Sequence, residues 1–158
     1  VNCIRMKYSV FALIVLACSL VIDYAMGSDF KTGKIVVTDS WVWAMVSTAK
    51  VGSGYLEFHN NGNTADRLIA VRSDISKRIE IHVMQMENNV MQMRRLTDGL
   101  EIPAHKTISL RPSGYHIMFF NPSAPFIEGE SFKATLEFEK AGQINVIFYV
   151  KALKNNAE

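Results

Sequence analysis

The sequence predicts an all-β domain, a sandwich or barrel of short strands, and three observations predict it. Apolar residues alternate with a period of two near the C-terminus: Phe132, Ala134, Leu136 and Phe138 share one face, as do Ile144, Val146, Phe148 and Val150. Turn signals recur at short intervals, at Asn61-Gly62, Asp98-Gly99, Pro122-Ser123-Ala124-Pro125 and Glu128-Gly129. No internal repeat, low-complexity tract or linker interrupts the chain, and 158 residues at 49% hydrophobic suit one domain plus a targeting segment.

In chain order, Arg5 and Lys7 precede an apolar run from Tyr8 to Ile22, and Ala25-Met26-Gly27 supplies small residues at two cleavage positions. Residues 1–27 therefore read as a secretory signal peptide, which puts the mature start at Ser28 and the domain at 28–158. Met6 would also open a plausible signal in a chain that starts at Val1. A rival reading takes Val15-Leu16-Ala17-Cys18 as a lipoprotein box that leaves Cys18 lipidated and the protein tethered to a membrane. The apolar run continues through Leu20-Val21-Ile22 past that cysteine, which favours the soluble, periplasmic form.

Ten strands follow: Ile35–Val37, Trp41–Val46, Gly54–His59, Arg67–Val71, Arg78–Met84, Val90–Leu96, Thr107–Leu110, Tyr115–Phe120, Phe132–Phe138 and Gln143–Val150. Trp41 reads as core. His59, at a strand end, is expected to be a hydrogen-bonding residue, and His105, in a loop after Pro103-Ala104, to face solvent.

Chemistry concentrates between Glu80 and Pro122, which holds three of the four histidines and five of the eight methionines. With a strand's period, Ile79, Ile81 and Val83 point one way while Glu80, His82, Met84 and Met86 point the other. The split recurs where Tyr115, Ile117 and Phe119 oppose His116, Met118 and Phe120. Asn88-Asn89 suits a two-residue hairpin turn, because asparagine tolerates positive φ. Counting back from it sets Met86 opposite Met91 and Met84 opposite Met93, with His82 diagonal to Met93 at roughly 7–8 Å. A single methionine or histidine on a strand is usually structural. His-x-Met twice, on strands whose other faces are apolar, points instead to a metal. Imidazole and thioether are soft neutral donors that select Cu(I) over zinc, magnesium or calcium, and no carboxylate needs to take part.

The pattern of His82, ten residues, Met93, a further stretch and then His116-Ile117-Met118 closely resembles the His/Met motif of the periplasmic copper chaperones called PCu(A)C. Further landmarks stand in the family's order from about 35 to 150: Asp39-Ser40-Trp41, Gly54-Tyr55-Leu56, Asn60-Asn61-Gly62, Asp66-Arg67-Leu68, Ile102-Pro103-Ala104, Gly114-Tyr115-His116 and Phe138-Glu139-Lys140-Ala141-Gly142. Four departures stand beside them. Twenty-two residues separate Met93 from His116 where the family commonly has about one fewer, which fits a loop insertion. Val42-Trp43 replaces a small residue followed by Arg, and Ser113-Gly114 replaces Gly-Gly. The chain ends in Lys154-Asn155-Asn156-Ala157-Glu158, without the His/Met-rich tail of longer members, so a second copper site there is not expected.

The resemblance implies a cupredoxin-like sandwich and a metallochaperone. It would hold Cu(I), with some capacity for Cu(II), on an exposed cluster of His82, Met93, His116 and Met118, with Met84 as an auxiliary thioether. By the same resemblance the expected acceptor is the dinuclear copper site of cytochrome c oxidase, or its assembly factors, and the protein is expected to be a monomer. Copper sequestration for tolerance, a protein-binding β-sandwich without metal, and enzymatic oxidation of Cu(I) are the alternatives. Both cysteines, Cys3 and Cys18, precede Ser28, so the domain has no thiolate for a disulfide, a blue-copper centre or thiol redox chemistry. Of 17 basic and 15 acidic residues, Arg5, Lys7 and Asp23 also precede Ser28, leaving a nearly neutral domain. Arg94-Arg95 alone makes no nucleic-acid patch. No nucleophile, base and orienting group stand at supporting positions, so the chain is not read as an enzyme.

Overall fold

The computed structural model describes residues 29–153, and the regular elements among them are eleven β-strands. They are β1 (Phe30–Thr32), β2 (Ile35–Trp43), β3 (Val51–Asn60), β4 (Asp66–Arg72), β5 (Arg78–Glu87), β6 (Val90–Arg95), β7 (Leu100–Ile102), β8 (Thr107–Ser109), β9 (Tyr115–Phe120), β10 (Ser131–Phe138) and β11 (Gly142–Lys151). The signal segment, both cysteines, Met6, Met26 and the last five residues lie outside the described part.

The strands form one hydrogen-bonded path, β6-β5-β9-β3-β2-β11-β10-β4-β7, with β1 on β2 and β8 on β3. Only β11 and β2 pair in parallel within it. The path wraps around an apolar centre fed by nearly every strand: Ile35, Val37 and Val42 from β2, Leu56 and Phe58 from β3, Ile81 from β5, Ile117 and Phe119 from β9, Leu136 and Phe138 from β10, Val146 and Phe148 from β11. Phe119 sits edge-on to Phe126, Phe132 and Phe148, with ring centres 5.4–5.7 Å apart. Burying side chains of this size is worth about 1.5–3 kcal/mol each.

Two landmarks of the sequence are ties between strands. Asp66 accepts the backbone N–H groups of Arg67, Lys140 and Ala141 at 2.7–2.9 Å, pinning the β10–β11 turn to the start of β4. Asn60 donates to the carbonyls of Thr64 and Ile102.

Two expectations are corrected. The predicted strands 35–37 and 41–46 are one strand, and Ala44–Val46 leave it. Within it, register to β3 slips by one residue between Thr38 and Trp41, where Asp39 takes φ 48°. That bulge reverses which side faces inward. Ile35 and Val37 point into the centre before it and Val42 does so after it, so Trp41 turns outward. Trp41 is buried, as expected, and packs on Tyr55 at 4.5 Å and Trp43 at 4.6 Å, with the Lys151 amino group 4.5 Å from its ring. The short strands β1 and β7 also escaped the sequence pattern, since three residues carry no readable alternation.

Candidate metal centre

The centre is built on three neighbouring strands, β6, β5 and β9. Asn88 and Asn89 take φ 50° and 63°, so β5 turns into β6 through a two-residue hairpin. The register that follows is Met86 opposite Met91, Met84 opposite Met93 and His82 opposite Arg95. On its other side β5 pairs with β9, and there His82 lies directly opposite His116, with Glu80 opposite Met118. Ile81 and Ile117, one residue along, enter the core and hold both strands in phase.

The imidazole rings stand 5.9 Å apart. Gly114 offers its carbonyl to His116 Nδ1 at 3.0 Å; a carbonyl only accepts, so Nδ1 carries the hydrogen and Nε2 keeps a lone pair. That Nε2 lies 3.2 Å from the sulfur of Met93. His82 is the mirror case: its Nε2–H donates to Glu80 Oε2 at 2.8 Å, and its Nδ1 is buried without any hydrogen-bond partner. Burial holds the His116 pKa below the ordinary imidazole value; the Gly114 carbonyl opposes that shift and the neighbouring His82 adds to it. Both effects of surroundings keep the ring neutral and free to act as a donor.

Glu80 is the residue that sequence reasoning passed over. It is buried, and besides His82 it meets Arg78 Nε at 2.8 Å and Arg95 Nη1 at 3.3 Å. Its pKa is lowered by the hydrogen bond from Arg78 first and that from His82 second, so the carboxylate stays ionised. The signal was present in the sequence: Arg78, Glu80 and His82 alternate on one face of a strand.

The structure thus brings His82, His116 and Met93 together. Met118 stands on the same face at the far side of the pair, diagonal to His82, and Met84 flanks Met93. The expected exposed cluster is corrected: His116 and Met118 are buried and His82 nearly so, while Met93 alone of the four is 51% exposed. Beside His82 stands Phe120, whose ring centre is 6.2 Å from that of the imidazole and carries the Arg78 guanidinium 4.2 Å from it. His59 is hydrogen-bonded to Thr38 and Thr107, away from the centre, and His105 is an exposed loop residue at φ 57°. Among the described residues no group of three or more His, Cys, Asp or Glu is placed to hold a metal.

The family model described as "Putative lipoprotein LpqE-like" matches residues 35–150. A protein of Leifsonia xyli subsp. xyli (strain CTCB07), named "Putative lipoprotein Lxx21020", is 27% identical over 117 residues, which cover 74% of this chain and 69% of that one. Among solved structures, the copper-bound PCuAC domain from PmoF2 superposes with a TM-score of 0.69 at 25% identity, covering 80% of this chain and 99% of its own. The apo PCuAC domain from PmoF1 gives 0.68 at 26%, covering 80% and 100%. Apo-DR1885 from Deinococcus radiodurans, at 0.59, 20% identity and coverages of 82% and 86%, shares the fold. The fold is the cupredoxin-like β fold of PCuAC domains, as the sequence resemblance implied.

Proposed function

Because the chain belongs to the LpqE-like family, over residues 35–150, we propose that it is a PCuAC-type copper chaperone that holds Cu(I) on His82, Met93, His116 and Met118 and passes it to an acceptor protein. The observation that carries the reading is the pair of unprotonated nitrogens, His82 Nδ1 and His116 Nε2, the first buried without a partner and the second 3.2 Å from a thioether sulfur. A buried nitrogen lone pair without a donor costs about 1–3 kcal/mol, and a cation is the partner that relieves it. A tetrahedral first-row ion with N and S bonds of about 2.0 and 2.3 Å holds those two atoms about 3.5 Å apart, so the ion needs only a small opening of the Met93 contact. Two neutral imidazoles and two thioethers suit a soft monovalent ion, and the imidazoles extend some affinity to Cu(II).

Copper then leaves as Cu(I) by exchange of donors, with the dinuclear copper site of cytochrome c oxidase as the acceptor that the family resemblance suggests. Names of relatives that contain "lipoprotein" favour an exported chain lipidated at Cys18 over a soluble one cut before Ser28, and intact mass from the native host separates the two. The test of the main reading is copper stoichiometry and oxidation state on the purified domain: one tightly held Cu(I), lost in His82→Ala/His116→Ala. Transfer to an apo acceptor no faster than loss to a chelator would turn the reading towards sequestration, and no Cu(I) binding would end it.

A further inference from the structure

Met86 and Met91 have no part in the four-donor centre, yet the hairpin presents them on its face. In a two-residue hairpin the residues flanking the turn, here Glu87 and Val90, form a hydrogen-bonded pair, and the pairs alternate from there. Met86–Met91, Met84–Met93 and His82–Arg95 therefore all fall in the other class, in which Cα atoms are about 4.5 Å apart and side chains come closest. All three pairs share one face, spaced about 7 Å along the strands. Two thioether pairs thus stand in series between His82 and the turn.

The outer pair is not core: Met86 is 64% exposed and Met91 47%. β6 is the end strand of the sheet path, so the far side of the hairpin is open. A purely apolar role would be served as well by leucine, whereas sulfur on both sides of a close pair adds a donor set that takes only soft ions.

We infer that Met86 and Met91 form a second, weaker Cu(I) site at the hairpin tip, through which the ion enters and leaves the His82/His116 centre by way of Met84 and Met93. The inference rests on the copper reading above. Each step is a ligand exchange: a Cu–S bond to Met91 or Met86 breaks as one to Met93 or Met84 forms. Copper stays Cu(I), no proton moves, and all four thioethers are neutral before and after. The inner centre is tight because it has two imidazoles; the outer pair is labile because it has none.

The experiment is titration of the domain with Cu(I) under anaerobic conditions, following the methionine methyl resonances, in the natural sequence and in Met86→Leu/Met91→Leu. Leucine keeps the apolar surface and removes only sulfur. The first equivalent should move the Met93 and Met118 methyls and further copper those of Met86 and Met91. The double variant should lose the later binding, keep its first-site affinity within about twofold, as expected of separate sites, and give copper to a small chelator about fivefold more slowly, because the neighbouring donor's high effective concentration is gone. A small chelator has no docking surface, so slower transfer cannot be ascribed to lost protein contact. Met86 and Met91 methyls that stay still at excess copper, or a double variant that releases copper at the natural rate, would overturn the tip site while leaving the inner centre standing. Copper that moves the tip methyls but not those of Met93 and Met118 would instead remove the four-donor reading.

Discussion

Replacing Glu80 with leucine should weaken Cu(I) binding although the carboxylate is not among the proposed donors. Glu80 has three partners, and they differ in what can replace it. Arg78 and Arg95 are exposed, so water can take over their N–H groups. The His82 side chain is only 12% exposed, and its Nε2–H points at Glu80 Oε2 from 2.8 Å. Without that acceptor the ring is no longer held in the Nε2–H tautomer that leaves Nδ1 free for an ion, and deleting a partner behind a metal ligand usually costs about 10–100-fold in affinity. Glu80→Gln keeps an acceptor for the same N–H and should cost less, about tenfold at most. Affinity is read by competition with a Cu(I) chelator. The His82 tautomer is read in the apo protein from nitrogen chemical shifts, which a merely structural role for Glu80 would not move. Glu80→Leu with affinity within about twofold of the natural protein and an unchanged Nε2–H tautomer would refute the reasoning.

Met93→Leu should lower Cu(I) affinity by about tenfold, near 1.4 kcal/mol, and Met84→Leu/Met93→Leu by more, because Met84 lies opposite Met93 and can replace it; equal losses in a chelator competition would remove Met84 from the account. Gly54→Ala should destabilise the fold by about 1–3 kcal/mol in urea unfolding, since its new Cβ would stand 2.8 Å from the Phe119 ring and 3.3 Å from Phe148. Acidification should weaken the apo fold in two stages. His116 has a lowered folded pKa, so the unfolded chain takes the proton first and stability falls as pH drops below the ordinary imidazole value towards the folded one. Glu80, also lowered, supports the fold above the ordinary carboxylate value, and that support goes as pH falls through its depressed folded value. Unfolding midpoints at stepped pH in the natural protein, His116→Ala and Glu80→Gln separate the stages, and flat profiles in this range would contradict both assignments.

What the sequence discloses here depends on the distance along the chain over which a constraint acts. The β5–β6 register was legible because one local fact, two asparagines in a two-residue turn, fixes every pair above it. The pairing of β5 with β9 was not, since three strands, β6, β7 and β8, and their loops lie between them and no turn fixes their offset. Consequently the motif supplied His82 and His116 as candidates, but their direct opposition came only from the fold. The continuity of β2 was hidden for a related reason: the Asp39 bulge shifts its register to β3 by one residue, and nothing local in the sequence announces it. The burial of His116 and Met118 was equally hidden, because a period of two identifies the outer face of a strand without saying what covers it.

That cover bears on how copper could leave. His116 and Met118 are buried, His82 is nearly so beside Phe120, whose ring carries the Arg78 guanidinium, and Met93 is the one proposed donor with half its surface in solvent. On the proposed donor set, an incoming ligand would meet Met93 first, so exchange should begin with the thioether on the edge hairpin and end with the imidazoles held by Gly114 and Glu80. The two anchors of that order, the His116 Nδ1 bond to a backbone carbonyl and the His82 Nε2 bond to a buried carboxylate, do not require copper, so the nitrogens remain aimed after the ion has gone. The strands beneath are fixed by Ile81 and Ile117 in the core. Release therefore needs rotation of a flexible, exposed methionine side chain and no opening of the sheet, and backbone amide protection in β5 and β9 should be the same before, during and after transfer.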